Sequence, residues 1–189
     1  MTSADIKRVL CLQPHPREGG WYRRTWESSE SLSPDAFRDG RYQGPRRTST
    51  AIYYLLEAEL FSPMHCLQSD EIFHHYLGDA VEMLLLFEDG GSRRLILGKE
   101  IEAGQSLQTV VRRGVWQGCR LLAAGPQRPL LDPGIAPGAL PASPSLGWAL
   151  LGCTVSPGFE FEDYQEARAE DLLARWPEEA KLIGELTPR

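Results

Sequence analysis

From Thr50 onward the chain is a succession of short apolar runs cut by turn residues. Ala51-Ile52-Tyr53-Tyr54-Leu55-Leu56, Glu71 to Leu77, Val81 to Phe87, Arg93 to Leu97, Ser106 to Val111, Val115 to Ala123 and Leu146 to Val155 have the length and composition of strands. Gly78-Asp79, Glu88-Asp89-Gly90-Gly91, Arg112-Arg113-Gly114 and Ser156-Pro157-Gly158 punctuate them with residues that favour tight turns. Many short strands joined this way predict antiparallel β-structure closed into a sandwich or barrel, because closure protects sheet edges. The two ends of the chain differ in texture. Thr2 precedes Ile6, Val9 and Leu10 as a cap precedes a helix, and Pro14-His15-Pro16 ends that helix. Gly19 to Trp26 starts a strand, Ser28 to Thr48 is a surface excursion, and Gly125 to Ser145 is a long loop. Glu166 to Trp176 and Glu178 to Leu186 have helical periodicity on either side of Pro177. No repeat is visible. At 189 residues the chain suits one domain, residues 1–189, with a barrel core at about 48–164 and a helical extension at about 165–187.

The chemically dense stretch of this pattern extends from the gap after the first run, through the second, into the third. His65, His74 and His75 occur there with Asp70, Glu71 and Glu82. Strand alternation places Glu71, Phe73 and His75 on one face and Ile72, His74 and Tyr76 on the other. If Gly78-Asp79 is a two-residue hairpin turn, His75 faces Glu82 across it, and two carboxylates bracket a histidine. Burial and like charge would then raise a carboxyl pKa, as acid/base chemistry needs.

Composition narrows the class. A formal charge of −6 at pH 7 argues against nucleic acid, whose binders concentrate basic surface. The pairs Arg23-Arg24, Arg46-Arg47, Arg93-Arg94 and Arg112-Arg113 read as solvated strand ends. Cys11, Cys66, Cys119 and Cys153 form no C-x-x-C pair, so reduced thiols are expected. The charged N-terminus and the brief apolar run from Met83 to Phe87 predict no membrane partner and a cytoplasmic protein.

Glu71, six residues and then Gly78 resemble the second half of the first cupin motif, and Thr109 to Gln117 resembles the second motif, with Gly114 as its glycine. In that register Met64, Cys66 and Gln117 stand where the superfamily places metal-binding histidines, and Glu71 alone remains of the metal set. One carboxylate is a poor substitute for three imidazoles and a carboxylate, so no metal and no cofactor is expected. His65 is one residue out of register and could return through a β-bulge.

Three further stretches resemble the cupin branch of unknown function called cupin family five. They are Leu12 to Arg23, Ser69 to Asp79 and Leu151 to Tyr164. In that family Trp usually stands at Phe73 and Phe at His75, which makes His74 the family-typical histidine. The resemblance implies a cupin-type double-stranded β-helix, a jelly-roll barrel with short terminal helices, distantly similar to dTDP-sugar epimerases and germins. It also implies a homodimer with a small-molecule pocket inside each barrel.

The expected ligand-binding set is His65, Glu71, His74, His75, Glu82, Trp116 and Gln117, with His65 and Glu71 as candidate catalytic residues. Glu18-Gly19-Gly20 reads as a backbone turn that leaves Glu18 able to line the pocket, and Phe159 to Asp163 as an edge strand with one solvated face. The leading functional expectation is a metal-independent cupin binding a small polar metabolite, with epimerase- or isomerase-like acid/base chemistry. A non-catalytic binding or sensing module is the first alternative. A metal-dependent enzyme using His65 and Glu71 is the second.

Overall fold

The computed structural model describes residues 1–122 and 145–188. Most of the loop expected from Gly125 to Ser145 thus lies outside the described residues, as does the Ala123 end of the run from Val115. Helix α1 spans Ser3–Val9, and Thr2 caps it reciprocally with Asp5. Strands β1 (Gln13–Pro14), β2 (Trp21–Glu27), β3 (Ser31–Leu32), β4 (Arg46–Arg47), β5 (Thr50–Glu57), β6 (Phe61–Cys66) and β7 (Asp70–Gly78) follow. The chain continues through β8 (Val81–Leu86), β9 (Ser92–Leu97), β10 (Gln108–Val111), β11 (Trp116–Leu121), β12 (Trp148–Ser156) and β13 (Gln165–Glu166). Helices α2 (Ala169–Arg175) and α3 (Ala180–Glu185) close it.

The strands form two main sheets and a small ribbon of β3 and β4. One sheet has six strands in the order β1-β2-β5-β12-β7-β10; the other has five in the order β13-β6-β11-β8-β9. This is the mainly β jelly-roll barrel expected. Period-two alternation builds its interior: Tyr54, Leu56, Phe73, Leu151 and Cys153 from one sheet meet Val81, Met83, Leu85 and Cys119 from the other. The opposite faces are covered separately. Ile6 and Leu12 pack on Leu55, Trp148 and Leu150, while Leu172, Trp176 and Ile183 pack on Met64, Leu84 and Leu86.

Gly78-Asp79 is not a hairpin turn. β7 pairs with β12 and β10, and β8 pairs with β11 and β9, so the chain changes sheets there. The crossing is held by Asp79, whose backbone N–H donates to the Trp148 carbonyl at 2.9 Å and whose carboxylate accepts from the N–H groups of Leu146 and Gly147. Gly78 needs its positive φ of 95° to make the step. The Arg112-Arg113-Gly114 turn changes sheets in the same way, between β10 and β11.

The segment from Ser28 to Thr48 is more than a surface excursion, since Tyr42 and Arg46 are buried within it. Arg46 is no solvated strand end either. Its guanidinium makes two bonds of 2.8 Å to the buried Asp163 carboxylate, the bidentate geometry that a planar fork favours. This pair anchors residues 158–164, which form a short 3-10 helix at Phe161–Asp163 and not an edge strand.

Candidate functional site

The site begins with a turn. Gly19 and Gly20 have φ values of 65° and 66°, and a Cβ on either would press on a backbone carbonyl, that of Phe61 or that of Leu55. Only glycine lets the chain double back there. The reversal is closed by the His15 N–H on the Gly20 carbonyl at 3.0 Å and by the Tyr54 hydroxyl, which donates to the Glu18 carbonyl at 3.1 Å. The consequence is that His15 and Glu18 are pushed into the mouth of the barrel.

They enter a cavity of about 320 Å³ whose wall includes Glu18, Glu71, Tyr22, Cys153, Phe159 and Phe161, at the small end of the range usual for ligand pockets. Glu71, at the start of β7, is buried and accepts a 2.7 Å hydrogen bond from Gln117 Nε2. Gln117 Oε1 is buried with no hydrogen-bond partner among the described residues. His65 pairs across β6 and β11 with Gln117, whereas Cys119 pairs with Ser62. Four residues of β6 thus oppose three of β11, a bulge that turns His65 inward. Its ring stacks on Tyr164 at 4.8 Å between centroids, and the Tyr164 hydroxyl is also buried without a partner among the described residues.

The two imidazoles are held as opposite tautomers. His15 Nδ1 accepts from the backbone N–H of Glu18 at 2.8 Å and of Arg17 at 3.4 Å. Its proton therefore sits on Nε2, 3.8 Å from Glu18 Oε1. His65 Nδ1 is 2.7 Å from the Pro63 carbonyl and must donate to it, which leaves the lone pair on Nε2. Burial pushes His15 down to about 4, helped by His65, and also holds His65 below its ordinary value against the pull of Glu71.

The carboxyls move the other way. Burial raises Glu18 to about 7, opposed by the Ser62 hydroxyl beside it. Burial and the charge of Glu18 raise Glu71 to about 7, opposed by His65, Gln117 and Cys153. At neutral pH two neutral imidazoles, His15 on the cavity wall as donor and His65 buried behind it as acceptor, thus stand beside two carboxyls poised between their forms.

The positions expected for ligand contact divide. His65, Glu71 and Gln117 come together here. His75 lies on the Glu71 face, but four residues along a strand is roughly 13 Å, and its Nε2 donates to the Asp79 carbonyl at 2.9 Å. His74 is on the outer face, beside Gln108 Nε2 at 3.2 Å and stacked with Tyr76. Glu82 faces outward as well, paired with Arg120 at 3.1 Å, because the hairpin that would have brought it to His75 does not exist. Trp116 packs in the outer cluster with Met64 and Leu84.

Pattern reading passed over His15, Tyr22, Phe161 and Tyr164, and assigned Glu18 no role beyond a pocket wall. The one local signal for the first was a histidine between two prolines, three residues before Glu18 and its glycines.

The metal set usual in cupins does not fit these residues. Met64 packs outside the barrel, the Cys66 thiol donates to Gln165 Oε1 at 3.5 Å and is pushed up to about 11 by burial, and Gln117 turns an N–H toward Glu71. Among the described residues no three His, Cys, Asp or Glu groups are placed to hold a metal ion. Nor is any described helix long and apolar enough to cross a membrane.

Residues 5–167 match the family described as "Cupin superfamily (DUF985)". Two solved structures are similar over the whole chain. A hypothetical protein from Leishmania major is 27% identical with a TM-score of 0.79, covering 100% of both chains. A Shewanella oneidensis protein is 26% identical with a TM-score of 0.76, covering 100% of this chain and 98% of its own. Among curated proteins there is no match.

Proposed function

This chain belongs to the Cupin superfamily (DUF985), and from that premise we propose that its barrel cavity binds a small polar metabolite, such as a carbohydrate derivative, and acts on it by metal-independent acid/base chemistry of the epimerase or isomerase kind. The observation that carries the reading is the convergence of His15, Glu18 and Glu71 on one cavity, with His65 buried behind its wall and near enough to act on both His15 and Glu71. An acid or base works best with a pKa near the working pH, and Glu18 and Glu71, both at about 7, meet that condition. In this reading His65 Nε2 takes a proton from an activated C–H or O–H of the ligand. The protonated Glu71 carboxyl returns one to the other face or the neighbouring atom, and His15 Nε2–H with Gln117 orients the polar groups.

The test is proton wash-in. Aldoses, ketoses and their derivatives are incubated with the protein in D₂O, and replacement of C–H by C–D is followed by proton NMR. His65→Gln should slow exchange by roughly 10²–10⁴-fold. A ligand that binds but is recovered unlabelled would favour the second reading, a binding or sensing module, which the enclosed and acceptor-rich cavity also supports.

The partner proposed is a second copy of the chain. Tyr76, Leu77 and Val110 are exposed on strands of the six-stranded sheet, next to His74. Sedimentation equilibrium giving the monomer mass at micromolar concentration would remove that proposal.

A further inference from the structure

The charges facing the cavity are unequal. Glu18, Glu71 and Glu160 line it against one guanidinium, Arg24. That guanidinium is already committed, with Nη1 donating to Glu27 Oε2 at 3.2 Å and Nη2 to the Phe159 carbonyl at 3.0 Å. The imidazoles cannot supply positive charge cheaply. Protonating His15 at Nδ1 would break two backbone hydrogen bonds, and His65 is fully enclosed beside Tyr164. Arg17 lies over the Tyr164 ring, 5.8 Å from its centroid.

The hydrogen-bonding groups are unequal too. The carboxylates of Glu18 and Glu71 accept on the wall, and behind Glu71 stand the His65 Nε2 lone pair and Gln117 Oε1, a buried acceptor with no donor among the described residues. Against them stand neutral donors, His15 Nε2, the Gln13 amide and the hydroxyls of Tyr22 and Thr50 on the wall, with the Tyr164 hydroxyl behind it. A buried acceptor without a donor costs roughly 1–3 kcal/mol, and an ammonium group brings three donors and no acceptor.

Resting on the reading of this cavity as a small-metabolite site, we propose that its ligand is a hydroxylated amine, with the ammonium seated between Glu18 and Glu71 and the carbon skeleton against Tyr22 and Phe161. The geometry disfavours the opposite class. A carboxylate or phosphate would meet three carboxyl groups and one occupied guanidinium.

Binding is coupled to proton release. The other titratable groups facing the two carboxyls are His15, Tyr54, His65, Cys119, Cys153 and Tyr164. Burial holds the imidazoles low and raises the hydroxyls and thiols. Around neutral pH the carboxyls are therefore the groups that change charge, and an incoming cation drives off one proton of the pair and leaves the other for the acid step.

Titration calorimetry of the full chain with glucosamine, glucose and gluconate as matched cationic, neutral and anionic probes tests this. Glucosamine should bind at least about tenfold tighter than glucose, with gluconate weakest. Its affinity should rise with pH by up to about tenfold per unit below the carboxyl pKa values, and its heat should depend on the buffer through the released proton. Glu18→Gln and Glu71→Gln should each remove that advantage in protein shown to be folded by circular dichroism. Glucose or gluconate binding as tightly as glucosamine overturns the charge assignment and leaves the metabolite site standing. Binding of none of the three at tens of millimolar overturns both.

Discussion

Replacing Glu71 by glutamine should change how the stability of the fold depends on pH, in a direction opposite to the usual effect of losing a carboxylate. Glu71 is held up from 4.5 to about 7 by burial and by Glu18, so keeping it ionised in the folded state costs on the order of 3 kcal/mol. Below 4.5 the carboxyl is protonated in both states and contributes no slope. As pH rises toward 7 the unfolded chain ionises while the folded chain keeps its proton, so folded stability falls. Above about 7 both states are ionised, and the loss levels off at its full value.

His15 and His65 act in the opposite sense. Both are depressed in the fold, so their contribution rises with pH until the unfolded histidine value near 6.5 is passed. The wild-type profile alone therefore mixes two slopes, and the difference between variant and wild type isolates the carboxyl. The substituted amide keeps the shape of the side chain, and its oxygen can still accept from Gln117. Urea denaturation at pH 5 should show the two proteins within about 1 kcal/mol. At pH 8 Glu71→Gln should be more stable than wild type by about 2–4 kcal/mol, including the relief given to Glu18. Parallel profiles across this range would refute the reasoning.

Arg46→Met strands the buried Asp163 carboxylate and should cost about 3–5 kcal/mol in urea denaturation; a loss below about 1 kcal/mol would mean that the pair does not anchor residues 158–164. Gly78→Ala should cost roughly 2–4 kcal/mol, because the added Cβ meets the Trp148 carbonyl at a positive φ of 95°, and wild-type stability in that variant would contradict the account of the crossing. His74→Ala and Glu82→Gln, both on outer faces, should leave ligand affinity within about twofold by calorimetry. A tenfold loss in either would place them back at the site.

The strands were legible because their signal is local. Val81 to Phe87 and Arg93 to Leu97 announce a hairpin through Asp89-Gly90-Gly91, and β8 and β9 pair as that pattern requires. Gly78-Asp79 carries the same kind of signal, yet its outcome depends on Trp148 and Gly147, nearly seventy residues away, which bind Asp79 and send the chain to the other sheet. That misreading carried Glu82 into the expected site.

For the site, Glu71 and Gln117 were legible from cupin motif spacing, and His65 from the same motif once a bulge is allowed. His15 sits on a turn with no periodicity, and its place depends on Tyr54 and on glycines that fit under backbone from other strands. The alternating aromatic and acidic residues from Phe159 resemble a strand, but the Arg46–Asp163 pair bends them over the cavity mouth.

The central claim is that Glu18 and Glu71 form the floor of a metabolite site. A metabolite library rich in hydroxylated amines, screened by thermal shift against wild type and the Glu18→Gln/Glu71→Gln double variant, tests it most directly. A true ligand at a hundredfold excess over its Kd stabilises the fold by about 2.7 kcal/mol, several degrees in Tm. The account predicts such a shift in wild type and its loss in the double variant. No shift in wild type across the library, or an equal shift in both proteins, would contradict it.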